Sequence, residues 1–186
     1  MTDLTELKAA ARKAAFARRK AARNAEADAQ AVANLLSVLM PHKGKPMAGY
    51  MPIRTEVDPL PAMAALQAFG PVGVPVIEGE GLPLTFKSWT PEAEMVDGPF
   101  GAKIPAKGAL IIPQIVIVPL VAFTKTGERL GYGGGFYDRT LEGLRARGPV
   151  QAIGYAYAAQ EADSLPMEQT DQPLDLIVTD QGVLTL

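Results

Sequence analysis

The stretch from Gly127 to Arg139 concentrates the residue types that bind anions. Gly131, Gly133, Gly134 and Gly135 are four glycines within five positions. A backbone free of Cβ atoms reaches φ > 0 and approaches a ligand closely. An amphipathic helical pattern follows from Thr140 to Arg147. The free N–H groups and the positive dipole end of a helix start would then point at whatever the loop holds. Arg129 and Arg139 flank the loop with fixed positive charge, and Asp138 offers a carboxylate to Mg²⁺. This is the chemistry of a phosphate-binding loop. The plainer alternative is a glycine-rich turn between a strand and a helix, with Asp138 serving only the helix dipole. Familiar nucleotide fingerprints do not fit. A dinucleotide loop needs glycine where Phe136 stands, and a P-loop needs a Gly-Lys-Ser/Thr ending. An RNA-recognition submotif needs a basic residue at Leu130 and an aromatic one at Gly134.

Composition narrows the remaining chemistry. The chain has 186 residues, which predicts one domain over 1–186, and its net charge of −2 argues against a general polyanion binder. It has no cysteine, so disulfides and thiolate catalysis are excluded, and one histidine, His42, which excludes a multi-histidine metal site. No apolar run reaches the roughly 18 residues of a membrane span. A cytoplasmic location is expected, although residues 8–23, rich in alanine and arginine without acids, also look like a transit peptide.

The elements that must position the loop read in order. Residues from about Asp3 to Met40 form one long alanine-rich helix, with Asn24 as a point where it could break. Lys8, Arg12, Arg19 and Arg23 span only about 60° of its circumference and make one basic stripe, which on spacing alone is a solvated face. Asp58 and Pro59 start a helix that runs to Phe69, with Gly70 as its stop. Strands are expected at Met47–Tyr50, Val72–Val76, Leu84–Trp89 and Val150–Tyr157. Ala109–Ile112 and Ile115–Val118 read as buried strands of a sheet covered on both faces.

The glycine-rich string resembles the signature of 5-formyltetrahydrofolate cyclo-ligases (methenyltetrahydrofolate synthetases). Members carry a stretch of the form v-P-x-x-A-F-x-x-x-G-x-R-L-G-x-G-x-G-Y-Y-D-R. Val118, Pro119, Ala122, Phe123, Gly127, Arg129, Leu130, Gly131, Gly133, Gly135, Phe136, Tyr137, Asp138 and Arg139 stand in those places. The likeness extends from residue 8 to 183, strongly in the last third and loosely between 60 and 105. Ile104, Thr124 and Leu120 depart from it, standing where glutamate, aspartate and glycine are common.

The resemblance implies an enzyme that uses ATP and Mg²⁺ to convert 5-formyltetrahydrofolate into 5,10-methenyltetrahydrofolate, ADP and phosphate. It implies a three-layer α/β sandwich with a mostly parallel sheet, of the sugar-isomerase and CoA-transferase type, with a long N-terminal helix. Lys8, Arg12 and Arg129 would serve catalysis and meet the ATP phosphates, cradled by the loop from Leu130 through Gly131, Tyr132, Gly133, Gly134, Gly135 and Phe136 to Tyr137. Met51, Glu56, Tyr137 and Trp89 would hold the folate, with Tyr50 at its border. Asp138 and Asp175 would bind Mg²⁺. The folate carries a polyglutamate tail or none, the protein is a monomer or weak homo-oligomer, and neither nucleic acid nor membrane is a partner. Two rivals are a non-catalytic folate- or nucleotide-binding relative and a nucleic-acid module built on the basic helix.

Overall fold

The run Ile115–Pro119 is apolar at every position and buried through Val118, as a central strand covered by helices on both faces must be. A computed structural model describes residues 3–186. Its first half contains helices α1 (Leu4–Ala22) and α2 (Ala25–Leu39), strand β1 (Met47–Ala48), helix α3 (Leu60–Gln67) and strands β2 (Val72–Ile77), β3 (Leu84–Ser88) and β4 (Met95–Asp97). Strands β5 (Lys103–Pro105), β6 (Leu110–Ile111), β7 (Ile115–Pro119), β8 (Ala122–Phe123) and β9 (Arg129–Leu130) follow. Helix α4 (Phe136–Arg145) and strands β10 (Gln151–Tyr155), β11 (Leu176–Thr179) and β12 (Gly182–Thr185) complete the chain.

Eight strands form one sheet in the order β12-β11-β10-β7-β1-β2-β3-β6. The stretch from β11 through β10, β7 and β1 to β2 is parallel. The flanking strands β12, β3 and β6 pair antiparallel. In chain order the parallel strands run 2-1-3-4-5, a doubly wound arrangement with its switch point between β1 and β7. Side chains alternate between the faces. Ile115 and Ile117 join Val72, Val74 and Ile153 under Leu35 and Leu39 of α2 and Met63 and Leu66 of α3. Val116 and Val118 join Phe86, Ala152 and Ile177 under Leu141 of α4. The result is the three-layer α/β sandwich with a mostly parallel sheet and a long N-terminal helix.

That N-terminal helix breaks at Asn24, whose backbone is extended (φ −159°) and whose side-chain Oδ1 caps α2 by accepting the Ala27 N–H at 2.9 Å. The break frees α1 from the α2 layer. Its Ala15 packs instead on Val121, Ala122 and Leu130 of the β8–β9 hairpin, which feeds the glycine-rich loop.

Three readings change. Ala109–Ile112 is not a buried strand: β6 lies at the sheet's edge, with Leu110 68% and Ile112 61% exposed. The helix expected from Thr140 begins at Phe136, because Phe136 and Tyr137 pack against the second core and extend the apolar face backwards. Gly70 does follow α3, but at ordinary φ; a Cβ there would stand 2.6 Å from the Gly44 carbonyl oxygen, so close backbone approach is what requires glycine.

Candidate functional site

The glycine-rich loop connects β9 to the head of α4. Val121 N–H donates to the Leu130 carbonyl (2.9 Å), and Thr124 closes the β8–β9 turn by bonding Glu128 through both backbone and hydroxyl. Gly133 (φ 102°) and Gly135 (φ 67°) then take left-handed conformations that other L-residues adopt only under strain. Arg12 of α1 donates Nε–H to the Gly131 carbonyl at 2.7 Å, and a Cβ on Gly133 would come within 3.1 Å of its Nη2. Arg139 donates to the Gly134 carbonyl at 2.7 Å and lies over the Phe136 ring. Arg129 is buried and ion-paired with Asp138 Oδ1, which also accepts the Gln172 N–H at 2.8 Å. Its Nε is buried without a hydrogen-bond partner, a donor that an anion would satisfy. Lys8 pairs with Glu168 at 2.7 Å.

These groups line one end of a cleft of about 660 Å³ at the C-terminal ends of β1, β2 and β7, beside the topological switch point. Met51, Ile53, Pro75, Ile77, Leu84 and Pro119 make the other end apolar. Glu56 is the buried acid there, only 6% exposed. Its Oε2 accepts the Ile53 N–H (2.9 Å) and its Oε1 accepts the Tyr132 hydroxyl (2.9 Å). Burial pushes the Glu56 carboxyl above its ordinary value, against the opposing pull of those two donors and of Arg19 and Arg54. Burial and the Glu56 charge push the Tyr132 hydroxyl up to about 12. Tyr50 and Tyr137 also line this end; burial first, then Glu56, raises both. An elongated ligand with an anionic end and a flat heteroaromatic end fits such a cleft.

Residues 5–180 match the 5-formyltetrahydrofolate cyclo-ligase family. The chain belongs to that family. It is 34% identical over 156 residues to the 5-formyltetrahydrofolate cyclo-ligase of Escherichia coli K12, covering 78% of this chain and 82% of the relative. The cyclo-ligase of Mycolicibacterium smegmatis is 29% identical over 172 residues, 87% of each chain. Among solved structures, the NMR structure of Aquifex aeolicus 5,10-methenyltetrahydrofolate synthetase superposes with a TM-score of 0.79 at 30% identity, over 97% of this chain and 93% of that one. A 5,10-methenyltetrahydrofolate synthetase from Mycoplasma pneumoniae gives 0.70 at 27% identity, over 93% and 98%.

In this cyclo-ligase the cleft brings together Lys8, Arg12, Tyr50, Met51, Glu56, Arg129, the loop from Leu130 to Phe136, Tyr137 and Asp138. It does not include Trp89 or Asp175. Trp89 is buried in the core against the α2–α3 layer, and its backbone N–H donates to the Val72 carbonyl at 2.8 Å. Asp175 immediately precedes β11, at the N-terminal end of that strand and so away from the cleft at the C-terminal ends, where its Oδ2 accepts the Ala152 N–H at 2.6 Å and meets Arg145 at 3.5 Å. Asp171, four residues earlier, lines the cleft instead. Ile104 and Thr124, two departures from the family pattern, are absent from the cleft lining, and Thr124 is buried in the hairpin turn. Arg19 was placed on a solvated stripe; it is 1% exposed and bonded to Tyr132. Helical periodicity put it on the face of Lys8 and Arg12, but only the break at Asn24 and the packing of α1 on the hairpin turn that face inward.

Proposed function

We propose that this cyclo-ligase converts 5-formyltetrahydrofolate and ATP into 5,10-methenyltetrahydrofolate, ADP and phosphate. What supports the reading is one cleft that joins a cationic, glycine-lined helix head to an apolar pocket ending in a buried carboxylate. The N5-formyl group is amide-like, so its oxygen leaves poorly. Attack of that oxygen on the γ-phosphorus releases ADP and turns the oxygen into a phosphate ester. N10 then attacks the formyl carbon, its proton departs, the C–O bond breaks and phosphate leaves with the bonding pair. Both nucleophiles belong to the substrate, so the protein has to align two ligands and offset developing charge.

The roles follow from chemistry. N–H groups at the head of α4 and the Arg12 and Arg129 guanidinium groups meet the phosphates, and Lys8 exchanges Glu168 for them. Glu56 accepts from the amino and ring N–H donors of the pterin, while Met51 and Tyr137 cover its faces. The donor set fits Mg²⁺: Asp138 and Asp171 offer hard oxygens beside the loop, and Arg129 and Gln172 occupy only Oδ1 of Asp138. When bound there, the ion would neutralise phosphate charge.

Asp138→Ala and Asp171→Ala are expected to lose ATP-dependent methenyl formation while keeping the far-ultraviolet circular dichroism of the parent. Asp175→Ala is expected to lower the melting temperature and keep turnover. Normal turnover in Asp138→Ala would contradict the metal assignment.

A further inference from the structure

Arg19 is buried on α1, and its contacts join that helix to two other segments. Nε donates to the Thr55 hydroxyl at 2.9 Å, in the loop that carries Glu56. Nη1 donates to the Tyr132 hydroxyl at 2.9 Å, in the glycine-rich loop. The guanidinium carbon stands 5.1 Å from the Phe16 ring centroid and 5.9 Å from that of Tyr132. Tyr132 passes the link on, because its hydroxyl accepts from Arg19 and donates to Glu56 Oε1. Helix, phosphate loop and pterin-side acid thus share one hydrogen-bonded chain.

A fully desolvated arginine is costly unless every donor is used, and a planar fork suits two acceptors at fixed angles better than a lysine does. Tyr132 is 41% exposed; its ring leans on Phe16, with centroids 5.8 Å apart, and its hydroxyl is set between Arg19 and Glu56. Glu56 needs that support. Tyr50 after β1, Tyr137 on α4 and Tyr132 on the loop are neutral neighbours, and the positive charges facing it are Arg19 from α1 and Arg54 from its own loop. Arg54 sits at φ 53° and its carbonyl is engaged by Arg23, which leaves Arg19 as the cation held in a fixed, buried position.

We propose that Arg19 is the positioning residue of the folate end of the cleft: through Tyr132 it fixes Glu56 as a charged acceptor and locks the phosphate loop against it. Arg19 does not line the cleft; it acts through Tyr132, which does. The inference rests on the reading of Glu56 as the pterin acceptor.

The test compares Arg19→Met, Arg19→Lys, Tyr132→Phe and Glu56→Gln in the full chain by steady-state kinetics across pH. Arg19→Met is expected to raise the KM for 5-formyltetrahydrofolate about tenfold, the worth of one hydrogen bond to a charged group. The KM for ATP should change less. The acid limb of kcat/KM for the folate should move to higher pH, since Glu56 loses a stabilising cation and protonates earlier. Arg19→Lys should return the limb towards the parent position while leaving the folate KM raised, because the charge is restored and the fork is not. An unshifted limb with a folate KM within about twofold of the parent overturns the proposal. Equal loss for both substrates marks a purely structural role and also overturns it. Should Arg19→Met fail to fold, Tyr132→Phe removes only the connecting hydroxyl and is expected to give the same folate-selective change; parent-like kinetics there overturn the proposal. Glu56→Gln separates the two claims. If it leaves folate KM untouched, the pterin reading of Glu56 is wrong; if it is impaired while Arg19→Met and Tyr132→Phe are not, only the Arg19 inference fails.

Discussion

Glu56 shows at the scale of one residue how the binding role proposed for it works against stability. Its carboxyl is raised by burial, so the folded chain holds its proton more tightly than the unfolded chain does. The group is therefore most favourable to folding below its unfolded value and costs stability as pH rises through the folded one. Glu56→Gln keeps one acceptor, for the Ile53 N–H, and turns the other position into an amide donor that the Tyr132 hydroxyl can accept, without the buried charge. It is expected to melt higher than the parent at neutral pH, with the difference shrinking as pH falls through the raised carboxyl range; thermal unfolding across pH checks this. A variant that melts lower at neutral pH would show that the charge is fully compensated. Which residues could be read from sequence depends on distance along the chain. Lys8 and Arg12 sit one helical turn apart, and a four-residue spacing is a local fact. Asp171 and Asp175 are also four apart, yet one lines the cleft and the other precedes the N-terminal end of β11, away from it. Counting residues cannot separate them; only the direction of β11 does. Trp89, which packs in the core and does not line the cleft, shows the same limit, since a lone indole carries no mark of whether its neighbours are core or ligand.

At the scale of elements, the loop and α1 work as a unit. Arg12 holds the Gly131 carbonyl, and Gly133 accepts its left-handed backbone under the Arg12 guanidinium. Alanine at 133 would add backbone strain of roughly 1–2 kcal/mol and crowd Arg12. Gly133→Ala is expected to raise the KM for ATP by roughly tenfold, with a smaller change for 5-formyltetrahydrofolate, as measured by varying each substrate in turn. An unchanged ATP KM would mean that the loop does not meet the phosphates. Element type was largely legible: β-branched runs gave the central strands, and Asn24 was visible as the weak point of the N-terminal helix. Exposure was not. The residues of β6 are as apolar as those of β7, and nothing local says that β6 lies at the edge while β7 is flanked by β1 and β10. The hairpins β4–β5 and β8–β9 were also missed, because strands of two or three residues carry too little periodicity to register.

Across the whole molecule, the sheet order explains why one cleft exists. Chain reversal between β1 and β7 leaves an open crevice at their C-terminal ends, and the connections after β1 and β7 carry Glu56 and the glycine-rich loop to it. α1 closes the third side only because the chain breaks at Asn24. The strand order was outside the reach of pattern reading, which yields alternating elements but not their neighbours; resemblance to a family supplied the layer arrangement. Among the described residues no helix is long and apolar enough to cross a membrane. The central claim is that this cleft couples ATP cleavage to ring closure. Its most direct test incubates the full chain with 5-formyltetrahydrofolate, ATP and Mg²⁺ and measures ADP and the absorbance of the conjugated methenyl product in the same sample. The expected result is equimolar ADP and methenyl product, and neither product when the folate or ATP is withheld. Methenyl product formed without ATP, or ADP released without ring closure, would contradict it.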